Sequence, residues 1–198
     1  MTKKFNINTF LKKRPLSWSA ISSFEYDPAQ WYESYIVGKR QSSPELVFGS
    51  YVDKKLQEDP TFLPDMPRYE YLQYKMKVRF YGIPLVGIPD GVNLTDTMEL
   101  ADYKTGKKKW DKKRADDTGQ LTFYLFLLYA SKGFKPEDFT CYIHWMETTQ
   151  HADLSIGFVR DMTIKTFETK RTMVDVLKFG ERIKNTIKEM EKYVRERV

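Results

Sequence analysis

Three residues that could do metal or acid–base chemistry lie close together in the middle of the chain. Asp90 stands just before a segment in which apolar and polar residues alternate, and Asp102 and Lys104 stand in the segment that runs back, 99–106. The alternation, with Thr95-Asp96 as a turn, predicts a hairpin that brings Asp90 near Asp102. Because strand side chains repeat with a period of two, Asp102 and Lys104 should share a face.

Two carboxylates beside an ammonium group suggest a specific chemistry. Carboxylate oxygens are ligands that Mg²⁺ and Mn²⁺ prefer, so a divalent cation could sit between Asp90 and Asp102. Lys104 could then orient or deprotonate a water that attacks phosphorus. These residues therefore predict metal-assisted hydrolysis of a phosphate ester, by one metal ion or by two.

Composition limits the kind of protein that carries this set. The chain has 198 residues, of which 41% are hydrophobic and 15% aromatic, so we expect one globular domain over 1–198. There are 33 basic and 27 acidic residues, and the formal net charge of +6 weakly favours a polyanionic partner.

The single cysteine, Cys141, excludes an internal disulfide framework, a cysteine zinc site and a four-cysteine iron–sulfur cluster. It fits a reducing compartment. Residues 1–14 have no apolar run of the kind a signal peptide needs, and the longest apolar run, 123–130, is too short to span a bilayer. We therefore expect a soluble, cytoplasmic protein.

The segments before the acids should form helices and strands that position them. Ser22 and Glu25 have the spacing of a capping box, and Asp27 with Pro28 predicts the start of a second helix over 28–37. A third helix is predicted over 48–56. Alternation over 68–81 predicts a long strand, which with the two segments that follow would form a three-stranded antiparallel meander ending at the acids.

A strongly basic stretch follows Lys104. It has an aromatic residue in its middle and could follow a phosphodiester backbone and stack on a base. The alternative is a solvated, mobile loop. The candidate DNA-binding residues are Lys107, Lys108, Lys109, Trp110, Lys112, Lys113 and Arg114.

The stretch 118–130 is apolar almost all round, which predicts a buried helix with Gln120 and Tyr124 on one face. An unpaired buried amide is costly, so Gln120 needs partners there, either in the site or in ordinary structural hydrogen bonds. His144 and His151 lack ligand-spaced partners and are interpreted as structural.

The last third of the chain is predicted to hold strands over 139–147 and 152–160 and then a long amphipathic helix from Thr166 onward. The apolar stripe of that helix is Phe167, Val174, Leu177, Ile183, Ile187, Met190 and Val194.

Four local patterns in this order resemble the PD-(D/E)XK nuclease superfamily, and within it the RecB-like nucleases. They are the capped aromatic start, the Gly49-x-x-x-Asp53 helix, Pro89-Asp90 followed by Asp102-Tyr103-Lys104-Thr105-Gly106, and Gln120-x-x-x-Tyr124. The resemblance covers residues 16–130. It implies an α/β fold, with a central mixed sheet flanked by helices, to which the long C-terminal helix is added.

The resemblance also implies roles for particular residues. Asp90, Asp102 and the Tyr103 backbone carbonyl would hold Mg²⁺ or Mn²⁺, Lys104 would act on the attacking water, and Gln120 and Tyr124 would line the catalytic site. Asp53 falls where such nucleases carry a histidine ligand, and as an oxygen donor it could keep that role; the alternative is an ordinary solvated residue.

Departures from the pattern narrow the subtype. Asp27 stands where the cluster-bearing subset has a cysteine, so the resemblance is to a phage or CRISPR-associated RecB-like exonuclease without the iron–sulfur cluster. The implied function is a DNA exonuclease of recombination, repair or phage DNA metabolism, with a recombination, helicase or annealing protein as partner. An endonuclease of resolvase or restriction type and a catalytically silent DNA-binding scaffold remain alternatives.

Overall fold

The computed structural model describes residues 14–39 and 42–197 and contains a mixed β-sheet with helices packed on both faces. Its helices are α1 (Trp18–Tyr26), α2 (Pro28–Trp31, continued by a π-helical turn over Tyr32–Val37), α3 (Pro44–Glu58), α4 (Lys112–Asp117), α5 (Gly119–Lys132) and α6 (Met173–Arg195). Its strands are β1 (Tyr71–Leu72), β2 (Met76–Phe80), β3 (Ile83–Gly87), β4 (Gly91–Asn93), β5 (Glu99–Gly106), β6 (Thr140–Gln150), β7 (Ile156–Phe158) and β8 (Lys165–Thr169).

The main sheet has the spatial order β1-β4-β5-β6, and β7 and β8 both pair with β6. β5 and β6 run parallel because α4 and α5 connect them across the sheet, whereas the other pairs are antiparallel. This arrangement confirms the predicted fold class, a central mixed sheet flanked by helices with a long helix at the C-terminal end.

Alternate residues of the central strands enter two separate cores. Leu100 of β5 pairs in register with Cys141 of β6, and both belong to the larger core formed with α1, α5 and α6. Tyr103 and Met146 belong to the smaller core, on the side of α3. Because the side-chain period is two, Asp102 and Lys104 project from the same face as Leu100, toward α5.

Capping residues define the N-terminal helices. Asp27 caps α2 as predicted, with Oδ1 accepting two backbone N–H groups of its first turn at 2.9 and 3.0 Å. The predicted capping box at Ser22 is wrong, because α1 begins earlier, at a cap formed by Ser17. Glu25 instead forms an ion pair with Arg182 of α6, which ties the first helix to the last.

The predicted three-stranded meander is also wrong. Residues 68–81 form two strands, β1 and β2, rather than one, and β2 pairs with β3 in a separate two-stranded sheet. β3 does not continue into the main sheet because Leu16 occupies its other edge: Leu16 N–H donates to the Pro84 carbonyl at 2.9 Å and Val86 N–H donates to the Leu16 carbonyl at 2.8 Å. It is β1 that pairs with β4 beside the acids.

The C-terminal helix begins seven residues later than predicted, and an unpredicted strand precedes it. Phe167 lies in β8, which pairs with β6, and Thr172 with Asp175 forms the capping box that starts α6. Val174 and Leu177 are each 57% exposed, so they do not belong to the buried stripe. The buried face follows the helical period through Val176, Phe179, Gly180, Ile183, Ile187, Met190 and Val194.

The prediction of a buried helix over 118–130 is confirmed by α5, which Thr118 caps at its start. Every side chain from Leu121 to Leu128 is buried. Among the residues that the structure describes, no helix is both long enough and apolar enough to cross a membrane.

Candidate active site

The β4–β5 pairing brings the two central carboxylates together, as the hairpin pattern predicted. Gly91 lies opposite Ala101, which sets Asp90 opposite Asp102 at the end of the ladder. Asp102 is only 2% exposed, whereas Asp90 is partly exposed. The short strand β4 thus delivers Asp90 to the same face of the sheet that carries Asp102 and Lys104.

Lys104 and Asp102 form a partly buried ion pair, with 2.5 Å between Nζ and Oδ2. Gln120, one residue into α5, accepts from Lys104 Nζ with Oε1 at 2.8 Å and donates from Nε2 to Asp102 Oδ1 at 2.6 Å. The amide therefore spans both members of the ion pair, and its orientation is set by an ammonium on one side and a carboxylate on the other.

Tyr124 completes this network one helical turn further along α5. Gln120 Nε2 donates its second hydrogen to the Tyr124 hydroxyl at 2.8 Å, and that hydroxyl donates to the Ile88 carbonyl at 3.2 Å. Burial, with the Asp102 charge next, raises the pKa of Tyr124, so the phenol stays protonated as the donor. Gln120 and Tyr124 are thus brought to the site as predicted, and there they orient Asp102 and Lys104.

The Asp90 carboxylate is held by two donors. Tyr103 N–H donates to Oδ2 at 2.6 Å, and Gln73 Nε2 donates to Oδ1 at 2.8 Å. Sequence reasoning missed Gln73, because it lies in a segment interpreted as a continuous strand and no motif marks it. Its positive φ of 53° could not be read from the residue type.

Asp53 approaches the pair from α3. That helix begins at Pro44, so Gly49 lies within it rather than near its start; a Cβ on Gly49 would lie 3.3 Å from Thr105 Oγ1. The small residue therefore allows α3 to pack closely against the end of β5. Burial and then the Asp102 charge raise the pKa of Asp53 to about 6, although Lys104 partly offsets them.

The carboxylates of the site repel one another. Burial, then Asp102 and Asp53, raise the pKa of Asp90 well above its ordinary value. Burial by itself lowers the pKa of Lys104, but the carboxylates, Asp102 foremost, outweigh it and raise that pKa overall. Lys104 is therefore an ammonium at neutral pH, suited to donate hydrogen bonds and not to accept a proton.

These residues fit a hard divalent cation chemically. The donor set consists of oxygens, and Asp102 Oδ2 is buried without a directed hydrogen bond, having only the Lys104 ion pair beside it. In the described part of the chain no group of three His, Cys, Asp or Glu side chains is close enough together to hold a metal ion, so Asp53 does not complete a preformed cluster with the two aspartates. Asp90 and Asp102 are thus the pair best placed to hold such an ion, with Asp53 within electrostatic reach.

A family model decides the classification. The model described as the PD-(D/E)XK nuclease superfamily matches residues 63–196, which include Asp90, Asp102, Lys104, Gln120 and Tyr124. This chain belongs to the PD-(D/E)XK nuclease superfamily. The RecB-like subtype is consistent with that membership, and Asp53 lies outside the matched residues.

One solved structure supports the same fold at low identity. This superfamily member is similar to an alkaline exonuclease (LHK-Exo) from Laribacter hongkongensis, with 12% identity, 96% of each chain covered and a TM-score of 0.53. A proposed exonuclease from Eubacterium rectale has 12% identity over 100% of this chain and 71% of its own, with a TM-score of 0.42. No curated protein sequence matches this chain.

The basic stretch of this PD-(D/E)XK chain is only partly the loop that was predicted. Lys107, Lys108 and Lys109 are exposed after the end of β5, whereas Lys112, Lys113 and Arg114 lie in α4. The first two of these α4 residues form ion pairs with acids one helical turn along, Lys112 with Asp116 and Lys113 with Asp117.

Trp110 does not have the surface position that base stacking requires. It is 7% exposed, and the Arg114 guanidinium covers its ring 4.0 Å from the centroid. Arg114 is occupied further by the Lys108 and Lys109 carbonyls at 3.0 and 3.2 Å. Both residues therefore pack under the loop. Lys107, Lys108 and Lys109 are exposed, and so are Lys112 and Lys113, which form the ion pairs with Asp116 and Asp117.

The two histidines lie apart from the carboxylates of this superfamily site. His144 is buried on the opposite face of the sheet, where its ring nitrogens contact the Tyr69 hydroxyl at 2.7 Å and Thr166 Oγ1 at 2.8 Å. Burial lowers the pKa of His144 to about 4, so the ring is neutral. His151 is exposed near the β6–β7 turn.

Proposed function

We propose that this protein is a metal-dependent deoxyribonuclease that removes nucleotides from DNA ends. One observation carries the proposal: Lys104, an ammonium, is held between Asp102 and Gln120 on the face that also presents Asp90. Membership of a nuclease superfamily supports phosphodiester hydrolysis, and the similarity to an alkaline exonuclease favours attack from an end.

In this proposal Asp90 and Asp102, with Asp53 and the Tyr103 carbonyl as further ligands, hold Mg²⁺ or Mn²⁺. A bound cation supplies Lewis acidity to the scissile phosphate and lowers the pKa of a coordinated water. Lys104 orients the attacking water and stabilises negative charge as it develops on the phosphoryl oxygens. Gln120 and Tyr124 keep that ammonium and Asp102 in place.

The substrate side of the proposal rests on charge. Lys107, Lys108 and Lys109 extend from the end of the strand that carries the site, where they can neutralise backbone phosphates. We propose DNA as the polyanion, in single- or double-stranded form, handled together with a recombination, helicase or annealing protein in recombination, repair or phage DNA metabolism. The larger core draws on residues from Leu16 to Val194, which supports a single catalytic domain. We propose that the enzyme works in the cytoplasm.

The test uses end-labelled linear DNA, single- and double-stranded, with Mg²⁺, Mn²⁺ or EDTA. A covalently closed circle, Lys104→Ala and the exposed-lysine control Lys188→Ala are run alongside. Metal-dependent shortening of linear DNA that is lost in Lys104→Ala, retained in Lys188→Ala and absent on the circle supports the proposal.

Two other results would favour a different function for this protein. Nicking of the circle would make the protein an endonuclease of the same superfamily. Salt-sensitive DNA binding without cleavage under any metal would leave a DNA-binding scaffold that keeps the fold.

A further inference from the structure

The segment between β1 and β2 contains a residue in an unusual backbone conformation next to Asp90. Gln73 has a φ of 53°, in the left-handed region that few residues other than glycine adopt. It directly follows Leu72, the last residue of β1, which pairs with Gly91 of β4. A glycine would meet this geometry without steric cost, so the glutamine at this position calls for an explanation in its side chain.

Both the backbone and the side chain of Gln73 donate hydrogen bonds to Asp90. Its backbone N–H donates to the Asp90 carbonyl at 3.2 Å, and its side-chain Nε2 donates to Asp90 Oδ1 at 2.8 Å. The backbone bond, which closes the end of the β1–β4 ladder, is available to any residue but proline. The side-chain bond is specific to the residue type, because it needs a donor at the end of a side chain of this length.

The two donors on Asp90 together define its geometry. With Oδ1 bonded to Gln73 and Oδ2 bonded to the Tyr103 N–H, the plane of the carboxylate is fixed. A carboxylate has about four lone-pair sites, so each oxygen keeps one that can face a cation. Gln73 adds this constraint without adding another charge beside Asp102 and Asp53.

Gln73 and Gln120 each donate a side-chain hydrogen bond to one of the two carboxylates. Gln120 reaches Asp102 Oδ1 from α5 at 2.6 Å, and Gln73 reaches Asp90 Oδ1 from the opposite side of the hairpin, at the β1 edge. Partners that hold metal-ligating carboxylates commonly affect metal affinity by 10- to 100-fold when removed. Gln73 is only partly buried, yet its Nε2 donates to Asp90 Oδ1.

We propose that Gln73 is a positioning residue: it orients the Asp90 carboxylate for the divalent cation and so raises the metal affinity of the site. The inference rests on the proposed function only in requiring that Asp90 bind a metal. The turn between β1 and β2 thus contributes to the site, because the left-handed backbone at Gln73 directs the side chain to Asp90.

The experiment measures Mn²⁺ affinity by isothermal titration calorimetry in four proteins. Gln73→Met keeps the chain length and the backbone strain but lacks the donor. Gln73→Gly lacks the donor and relieves the strain. Leu154→Gly, which relieves a left-handed residue (φ 66°) in the β6–β7 turn, is the control and is compared with the unmodified protein.

We expect the dissociation constant for Mn²⁺ to rise about tenfold or more in both Gln73 variants and to stay unchanged in Leu154→Gly. Mn²⁺ affinity within twofold of wild type in both Gln73 variants would overturn the inference, as would loss in Gln73→Met with full recovery in Gln73→Gly. Thermal melting in EDTA verifies that each variant is folded.

The outcomes separate this inference from the proposed function. An unmodified protein that binds Mn²⁺ and cleaves DNA, with Gln73 variants that bind Mn²⁺ equally well, would refute the role of Gln73 alone. An unmodified protein that binds Mn²⁺ without cleaving DNA would refute the nuclease activity, while weaker binding by both variants would still support the positioning role. No Mn²⁺ binding by the unmodified protein would refute both.

Discussion

The Lys104 ammonium lies between two acceptors of different charge, Asp102 Oδ2 at 2.5 Å and Gln120 Oε1 at 2.8 Å. The first contact holds the lysine in its charged form, and the second directs it without adding another negative charge. Since Gln120 also donates to Asp102 Oδ1, the three side chains form one closed unit. Removing any one of them leaves the other two with partly unsatisfied polar groups, which is costly in a site this buried.

Gln120→Glu should disrupt this unit while preserving shape. The new carboxylate would face Asp102 without a donor between them and would compete with Asp102 for Lys104. We expect nuclease activity to fall about 10- to 100-fold at pH 7, measured as initial rates on end-labelled DNA. The control is Gln30→Glu on the exposed side of α2. Wild-type rates in Gln120→Glu would show that the amide does not orient the catalytic pair.

Asp53→Asn should stabilise the metal-free protein at neutral pH. The pKa of Asp53 is raised from 3.8 to about 6, so its ionisation disfavours the folded state, and stability due to this group declines as pH rises from about 4 to about 6. In EDTA at pH 7, Asp53→Asn should increase the free energy of unfolding by about 1–2 kcal/mol, after discounting for partial exposure, with no gain at pH 4. Urea titrations at both pH values measure it.

The same variant tests the ligand role of Asp53. Millimolar Mg²⁺ should raise the melting temperature of the unmodified protein, because a cation relieves the repulsion among the carboxylates. The increase should be smaller in Asp53→Asn. An equal increase in both proteins would remove Asp53 from the ligand set, and no increase in either would count against the metal site itself.

His144 should make the fold sensitive to acid. Burial lowers the pKa of His144 from 6.5 to about 4, so the folded state binds this proton less tightly than the unfolded state does. Stability from the neutral ring is full above about pH 6.5 and is lost as pH falls toward 4, by about 3 kcal/mol. His144→Gln should flatten this part of the pH profile of unfolding, whereas His151→Gln should leave it unchanged. A profile equally steep in His144→Gln would assign the acid sensitivity to other groups.

The exposed lysines directly after β5 should account for the salt dependence of DNA binding better than the ion-paired lysines of α4. Replacing Lys107, Lys108 and Lys109 by alanine should lower the slope of log Kd against log salt by up to about 2.7, since each phosphate contact contributes about 0.9. Replacing Lys112 and Lys113, which pair with Asp116 and Asp117, should lower it much less. Fluorescence anisotropy in EDTA, from about 50 to about 200 mM salt, compares the variants. Equal slopes in the triple and the double variant would show that DNA does not bind preferentially at Lys107, Lys108 and Lys109.

The sequence alone was sufficient for the parts of the site that local periodicity controls. Asp102 and Lys104 share a face because they are two residues apart in a strand, and Gln120 and Tyr124 share one because they are four apart in a helix. The hairpin pattern likewise predicted that Asp90 would meet Asp102. The buried helix followed from an apolar pattern of the same local kind, whereas the fold class followed from the resemblance to the nuclease superfamily.

Only the tertiary structure decided which partners those residues meet. Gln73 reaches Asp90 because a left-handed backbone turns it there, and Trp110 is buried because Arg114 folds back over it. Leu16 takes the edge of β3 that the meander required, and β8 takes the residues predicted to start the last helix. Strand edges are filled by segments distant in sequence, and backbone strain is tolerated where contacts compensate for it; neither has a local periodic pattern.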